Sequence, residues 1–114
     1  MARVLQDSNF KWMFSDSHIT RHCEYPVTIL TGRTSRNLVI DLLLQEQNGD
    51  TWVIDYKTGC PGPNTSVEDF IRGRMDFYRS TMQLYGRAVS ELGYGNVRTA
   101  LYFPLLARWA EYES

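Results

Sequence analysis

Two apolar runs, Leu38–Leu44 and Trp52–Tyr56, are separated by Gln47-Asn48-Gly49-Asp50, and this turn constrains the fold more than any other segment. Side chains alternate faces along a strand, so the length of the turn decides which residues of the two runs share a face. A two-residue Asn48-Gly49 loop sets Gln47 against Asp50, which leaves Asp41 opposite Tyr56 and on the wrong face from Asp55. A three-residue loop of Gln47, Asn48 and Gly49 sets Glu46 against Asp50 and brings Asp41 directly opposite Asp55. Glycine in third place is what a type I turn closed by a G1 bulge requires. The three-residue loop is the prediction if the two acids form one site. Asp41 lies inside a near-continuous apolar run, as expected of a strand covered on both faces. A carboxylate there is costly unless a cation or hydrogen-bond donors meet it; backbone amides or an arginine are the purely structural alternative.

The second run continues into Lys57-Thr58-Gly59. Asp55 and Lys57 point one way while Trp52, Ile54 and Tyr56 point the other. A hard divalent cation takes carboxylate oxygens, and an ammonium beside it can orient or deprotonate a water, or neutralise charge developing on a phosphate. That combination suits phosphodiester hydrolysis. Taken alone, the same pattern is a buried strand ending in a surface ion pair of little energetic consequence.

With 114 residues, 43% hydrophobic and 13% aromatic, the chain has material for one core and one domain, 1–114. A formal net charge of -1 is unlike that of a domain that holds nucleic acid unaided, which carries a basic excess. If DNA is the substrate, another element supplies much of the grip. Cys23 and Cys60 are too few for a disulfide framework or a four-cysteine cluster, so a reducing, cytoplasmic setting is expected. No run approaches the about eighteen apolar residues of a membrane span, so no membrane association is expected.

Residues 1–20 carry Phe10, Trp12, Met13 and Phe14 without a regular period and read as an irregular lead-in packed on the body. Arg21 to Thr31 reads as a first strand, with Pro26 placing it at an edge or bulge, followed by a turn over residues 31–35. A loop after Lys57 leads to Ser66, positioned to cap a helix whose first turn holds Glu68 and Asp69. Cys60 in that loop reads as an incidental thiol. Ile71, Met75, Tyr78, Met82, Tyr85, Val89 and Leu92 predict one buried stripe on a helix from 67 to about 93, ended by Gly93. Arg74, Tyr78, Thr81 and Tyr85 fall in a narrow arc beside it and could turn polar tips to a phosphate, whereas Arg72, Arg79 and Arg87 form a solvated face. Val97–Phe103 reads as a closing strand, and Leu105 to Tyr112 fits either a further strand or a helical turn. A helix crossing over to the closing strand predicts a mixed α/β sheet in which that strand runs parallel to a neighbour.

In this order the residues resemble the RecB-type branch of the PD-(D/E)XK nuclease superfamily, the C-terminal nuclease domain of ATP-dependent helicase-nuclease subunits of the exonuclease V beta type. The likeness rests on Leu38-Val39-Ile40-Asp41, on Val53-Ile54-Asp55-Tyr56-Lys57-Thr58-Gly59, and on a helix ending its motif in Tyr85, and spans about residues 22 to 103. It implies a restriction-endonuclease-like core, with Asp41 and Asp55 binding magnesium, or manganese in its place. The carbonyl of Tyr56 is implied as a further ligand and Lys57 as the group acting on the attacking water. It further implies an exonuclease-type DNA hydrolase in end processing and recombinational repair, with DNA and a helicase subunit, or the helicase portion of the same full-length chain, as partners. Glu24 matches a glutamate often seen on the first strand, in a catalytic or a structural role. Thr81 stands where the family has glutamine, and Gln83 cannot replace it, because two residues are about 200° of helical rotation. Leu38 stands where the family has glycine. The family's upstream helix, which brings a further metal ligand, would precede residue 1, so a truncated domain is expected; His18 and His22 are poor substitutes. The competing expectations are a nuclease-fold module that binds DNA or docks onto a helicase without efficient catalysis, and a small interaction domain with no nucleic-acid role.

Overall fold

The computed structural model describes residues 12–13 and 18–113. Its central turn has the three-residue form: the Glu46 N–H donates to the Asp50 carbonyl at 2.9 Å and the Gly49 N–H to the Glu46 carbonyl at 3.1 Å. Gly49 takes a φ of +99°, a conformation that side chains disfavour. The turn joins β2 (Thr34–Glu46) to β3 (Thr51–Tyr56) in antiparallel register, with Gln45 opposite Thr51 and Leu42 opposite Ile54.

β1 (His18–Thr31) flanks β2, and β4 (Val97–Phe103) and β5 (Arg108–Glu111) continue the sheet beyond β3, in the order β1-β2-β3-β4-β5. All neighbours are antiparallel except β3 and β4, which are parallel and joined through the long helix α1 (Val67–Glu91). The fold is therefore mixed α/β, one five-stranded mixed sheet and one long helix. Ser66 caps α1, its hydroxyl accepting from the Asp69 N–H at 3.1 Å, and Gly93 follows the helix at φ +99°. Among the described residues, no helix is long and apolar enough to cross a membrane.

Several boundaries differ from expectation. The first strand begins at His18 rather than Arg21, and its turn narrows to Gly32-Arg33 because Thr31 already pairs with Thr34. Pro26 lies on the edge strand, where its missing N–H costs no ladder bond. After β4, Pro104 cannot donate to the ladder; a short 3-10 turn (Pro104–Leu106) and Ala107 at φ +51° reverse the chain into β5. Of the expected lead-in 1–20, residues 1–11 and 14–17 lie outside the described residues. Met13 is fully buried, and the Trp12 ring packs edge-on against Trp52 and Trp109 at 5.5 and 5.7 Å.

The sheet carries a core on each face. Val53, Leu43, Leu101 and Phe103 meet Met82, Ala88 and Val89 of α1, while Leu42, Leu44, Ile54 and Trp52 meet Met13 and Trp12 on the other side. The stripe on α1 is less buried than its period suggested. Only Met82, Ala88 and Val89 are buried, and Leu92 is 56% exposed. A 25-residue helix is about 37 Å long, whereas β3 and β4 run for about 20–23 Å, so part of α1 overhangs the sheet. Leu92 already belongs to the C-cap, where the chain turns away. Val39 is 53% exposed, so β2 is covered on both faces only over Leu42–Leu44.

That last difference marks a fork. β2 pairs with β3 only up to Leu42 and Ile54. Beyond that point β2 continues beside β1 to Thr34, and β3 continues beside β4 to Tyr56 opposite Tyr102. The alternation of β2 slips here as well: Leu38, Ile40 and Leu43 all lie in the helix-side core, so one residue step is lost at Asp41.

Candidate active site

At the fork a backbone donor loses its ladder partner, and a side chain replaces it. The Tyr56 N–H donates to Oδ2 of Asp41 at 2.9 Å. The neighbouring residue on β3, Asp55, is 8% exposed and stands where the register continues opposite Asp41. One strand step beyond Tyr56, the Lys57 Nζ lies 2.6 Å from Oδ2 of Asp55. Lys57 is anchored through its backbone, whose N–H donates to the Tyr102 carbonyl at 2.9 Å. The structure thus brings Asp41, Asp55 and Lys57 together.

The ionised form of Asp55 is disfavoured in this setting. Burial and a hydrogen bond with the Asp41 carboxyl raise its pKa from 3.8 to about 6, against the opposing effect of Lys57. Two adjoining carboxylates with one ammonium, held against Asp55, therefore form an under-neutralised acidic pair. Tyr56 directs its carbonyl to the same strand edge as its N–H, the edge that β2 has left. Its ring packs on the opposite face of the sheet, 6.3 Å from Tyr102, and burial pushes its phenol up to about 12. This donor set of two carboxylates and a carbonyl suits a hard cation that keeps several waters, as magnesium does. Among the described residues, no group of three or more His, Cys, Asp or Glu side chains is placed to hold a metal ion.

Helix α1 closes one side of the site. The Tyr78 ring lies under the Lys57 ammonium, 3.6 Å from Nζ to the centroid. Tyr85 is half-buried, and its phenol is pushed up by burial and by the Asp55 and Asp41 charges, with Lys57 and Arg36 opposing. Thr81 lies between these tyrosines on α1 and is half-buried. Gln83 instead lines a separate cavity of about 620 Å³ with Asn96, Arg98 and Glu111.

Glu24 falls opposite Asp41, because Cys23 pairs with Leu42 and Tyr25 with Ile40. It is exposed and takes a φ of +53° at the level of the fork. His22 is exposed with its ring 5.1 Å from Tyr25, and the His18 side chain lies outside the described residues. Arg72, Arg79 and Arg87 pair with Asp69, Asp76 and Glu91 on the solvated face of α1. Arg74 makes a different contact, its guanidinium carbon lying 5.3 Å from the Phe70 ring centroid. Sequence reasoning passed over Arg36 and Phe70. Phe70 was within reach, since it lies one turn before Arg74. Arg36 was not, because its nearness to Tyr85 depends on how α1 crosses the sheet.

No protein-family model matches the chain, and no curated protein matches it.

Proposed function

We propose that this chain is a metal-dependent DNA nuclease domain of the RecB-type PD-(D/E)XK class. The observation that carries this reading is the fork in the sheet, where two carboxylates from separated strands and one lysine ammonium meet. Asp41 and Asp55 would hold magnesium or manganese, with the Tyr56 carbonyl as a further ligand. When bound, the cation lowers the pKa of a coordinated water and neutralises charge gathering on the phosphate.

The residues of the chain do the rest. Asp41 is fixed by the Tyr56 N–H, so its second oxygen is presented at a constant angle. Burial of Asp55 keeps bulk water from screening its charge, which strengthens its hold on a cation. Lys57 stands at the cleft to orient the attacking water and to stabilise the anionic transition state. Tyr78 keeps its ammonium in place through the ring face. With a net charge of -1, the domain would act in DNA end processing and recombinational repair alongside a helicase, either a partner subunit or another part of the same full-length chain, that brings DNA to it.

Cleavage of linear DNA in magnesium or manganese, with Lys57→Ala as control, tests the reading. Cleavage by the wild type and its loss in the variant are expected; equal cleavage by both forms rejects catalysis at this site. A second reading, a nuclease-fold module that binds DNA without cutting it, draws support from Thr81 standing in place of the family's glutamine. DNA binding in the absence of cleavage would favour that second reading, and metal titration followed by NMR at Asp41 and Asp55 separates the nuclease from an interaction domain with no nucleic-acid role.

A further inference from the structure

We propose, on the basis of the nuclease reading, that the cavity beside Lys57 is a subsite for the phosphate adjacent to the one being cleaved, and that Arg74 is the residue that grips it. The cavity has a volume of about 340 Å³, and its walls include Lys57, Gly59, Phe70, Arg74 and Tyr78. Phe70, Arg74 and Tyr78 recur at four-residue steps, so they line one side of α1. Two cations line this space, each within reach of an aromatic ring: Lys57 Nζ 3.6 Å from the Tyr78 centroid and the Arg74 guanidinium carbon 5.3 Å from that of Phe70.

Their charges are in different states. That of Lys57 is opposed by Asp55 at 2.6 Å. Among the described residues, Arg74 has no acidic partner, whereas Arg72, Arg79 and Arg87 on the same helix each have one. A cation held near a ring by its charge engages none of its N–H groups in an ion pair, so the guanidinium fork of Arg74 remains available to meet a phosphate in bidentate fashion. The ring beside Arg74 is itself held in place. The Phe70 ring packs edge-on against Phe103 at 6.1 Å, and Gly59 lies so close that a Cβ there would stand 3.0 Å from Phe70 Cζ. A nearly neutral chain thus places a positive charge without an acidic partner among the described residues in the wall of the cavity that Lys57 also lines. A phosphodiester strand entering the cleft would set its neighbouring phosphate there.

The test compares wild type, Arg74→Ala, Arg74→Lys and, as a control on the solvated face, Arg72→Ala. Binding to a labelled DNA oligonucleotide without divalent cation is measured against salt. Arg74→Ala should weaken binding about tenfold and lower the salt slope by about 0.7–0.9, one phosphate's worth, while Arg72→Ala matches wild type. Arg74→Lys should recover the slope and only part of the affinity. In magnesium, a methylphosphonate next to the cleaved bond should slow wild type about tenfold and leave Arg74→Ala indifferent. If Arg74→Ala behaves as Arg72→Ala while DNA is still bound and cut, the subsite is overturned and the nuclease reading stands. If wild type neither binds nor cuts DNA, both fall.

Discussion

Replacing Asp55 with asparagine should stabilise this protein in metal-free solution, although it removes a residue placed at the centre of the site. The folded chain holds Asp55 with a pKa of about 6 against 3.8 for the free side chain, mainly because burial penalises the charge. That difference of about 2 units corresponds to about 3 kcal/mol. The sign follows from which state binds the proton more tightly. Below about pH 4 the group is protonated folded and unfolded, and no penalty arises; above about pH 6 it is ionised in both, and the whole cost falls on the native state. The favourable contribution is therefore present in acid and lost as pH rises from 3.8 through about 6. Asparagine reproduces the neutral form and can still donate to Asp41. At pH 8 without metal, Asp55→Asn should exceed wild type by up to about 3 kcal/mol, or about 10 °C in Tm, and the gap should close towards pH 4. Thermal unfolding of both proteins across that range measures it, and titrating groups distant from the site cancel in the difference. Added magnesium or manganese should raise the Tm of wild type at pH 8 more than that of the variant. A variant less stable than wild type at pH 8, or a gap that ignores pH, would refute the account of an under-neutralised carboxylate pair.

Three other perturbations follow from the packing. Tyr78→Leu removes the ring beneath Lys57 while Tyr78→Phe keeps it, so the upfield ring-current shift of the Lys57 ε-protons in NMR should survive only in the phenylalanine variant; its survival in both would disprove the contact. Gly49→Ala forces a side chain onto a residue at φ +99° and should cost about 1–2 kcal/mol, seen as a lower urea midpoint with an unchanged m-value. Glu46 accepts from the indole N–H groups of both Trp12 and Trp52 at 3.1 Å, so Glu46→Ala should destabilise by about 2–3 kcal/mol and shift tryptophan emission; an unaltered midpoint would mean that water replaces the carboxylate at no cost.

Much of the architecture was legible from local rules. The three-residue turn could be read because a period of two leaves only one loop length that faces Asp41 towards Asp55, and because glycine is needed at the third position. Ser66, the helix after it and the parallel β4 could be read for equally local reasons, since caps and crossovers depend on short stretches of chain. Leu92 and Val39 were misjudged because periodicity says which face a residue takes but not how far the neighbouring element extends. The strand after Pro104 could not be separated from a helical turn, because four residues carry too little period to decide.

By itself, the sequence determined which residues could share a face and where the chain had to reverse, since both follow from bonds between near neighbours. Only the tertiary structure decided that β2 parts from β3 at Asp41, that the Tyr56 N–H turns to a carboxylate there, that Tyr78 stands under Lys57, and that Arg36 comes near Tyr85. Those outcomes depend on how a twisted sheet and an overhanging helix share buried surface, a sum over contacts far apart in sequence. The raised proton affinity of Asp55 belongs with them, because burial, its main cause, exists only once the whole chain has closed around it.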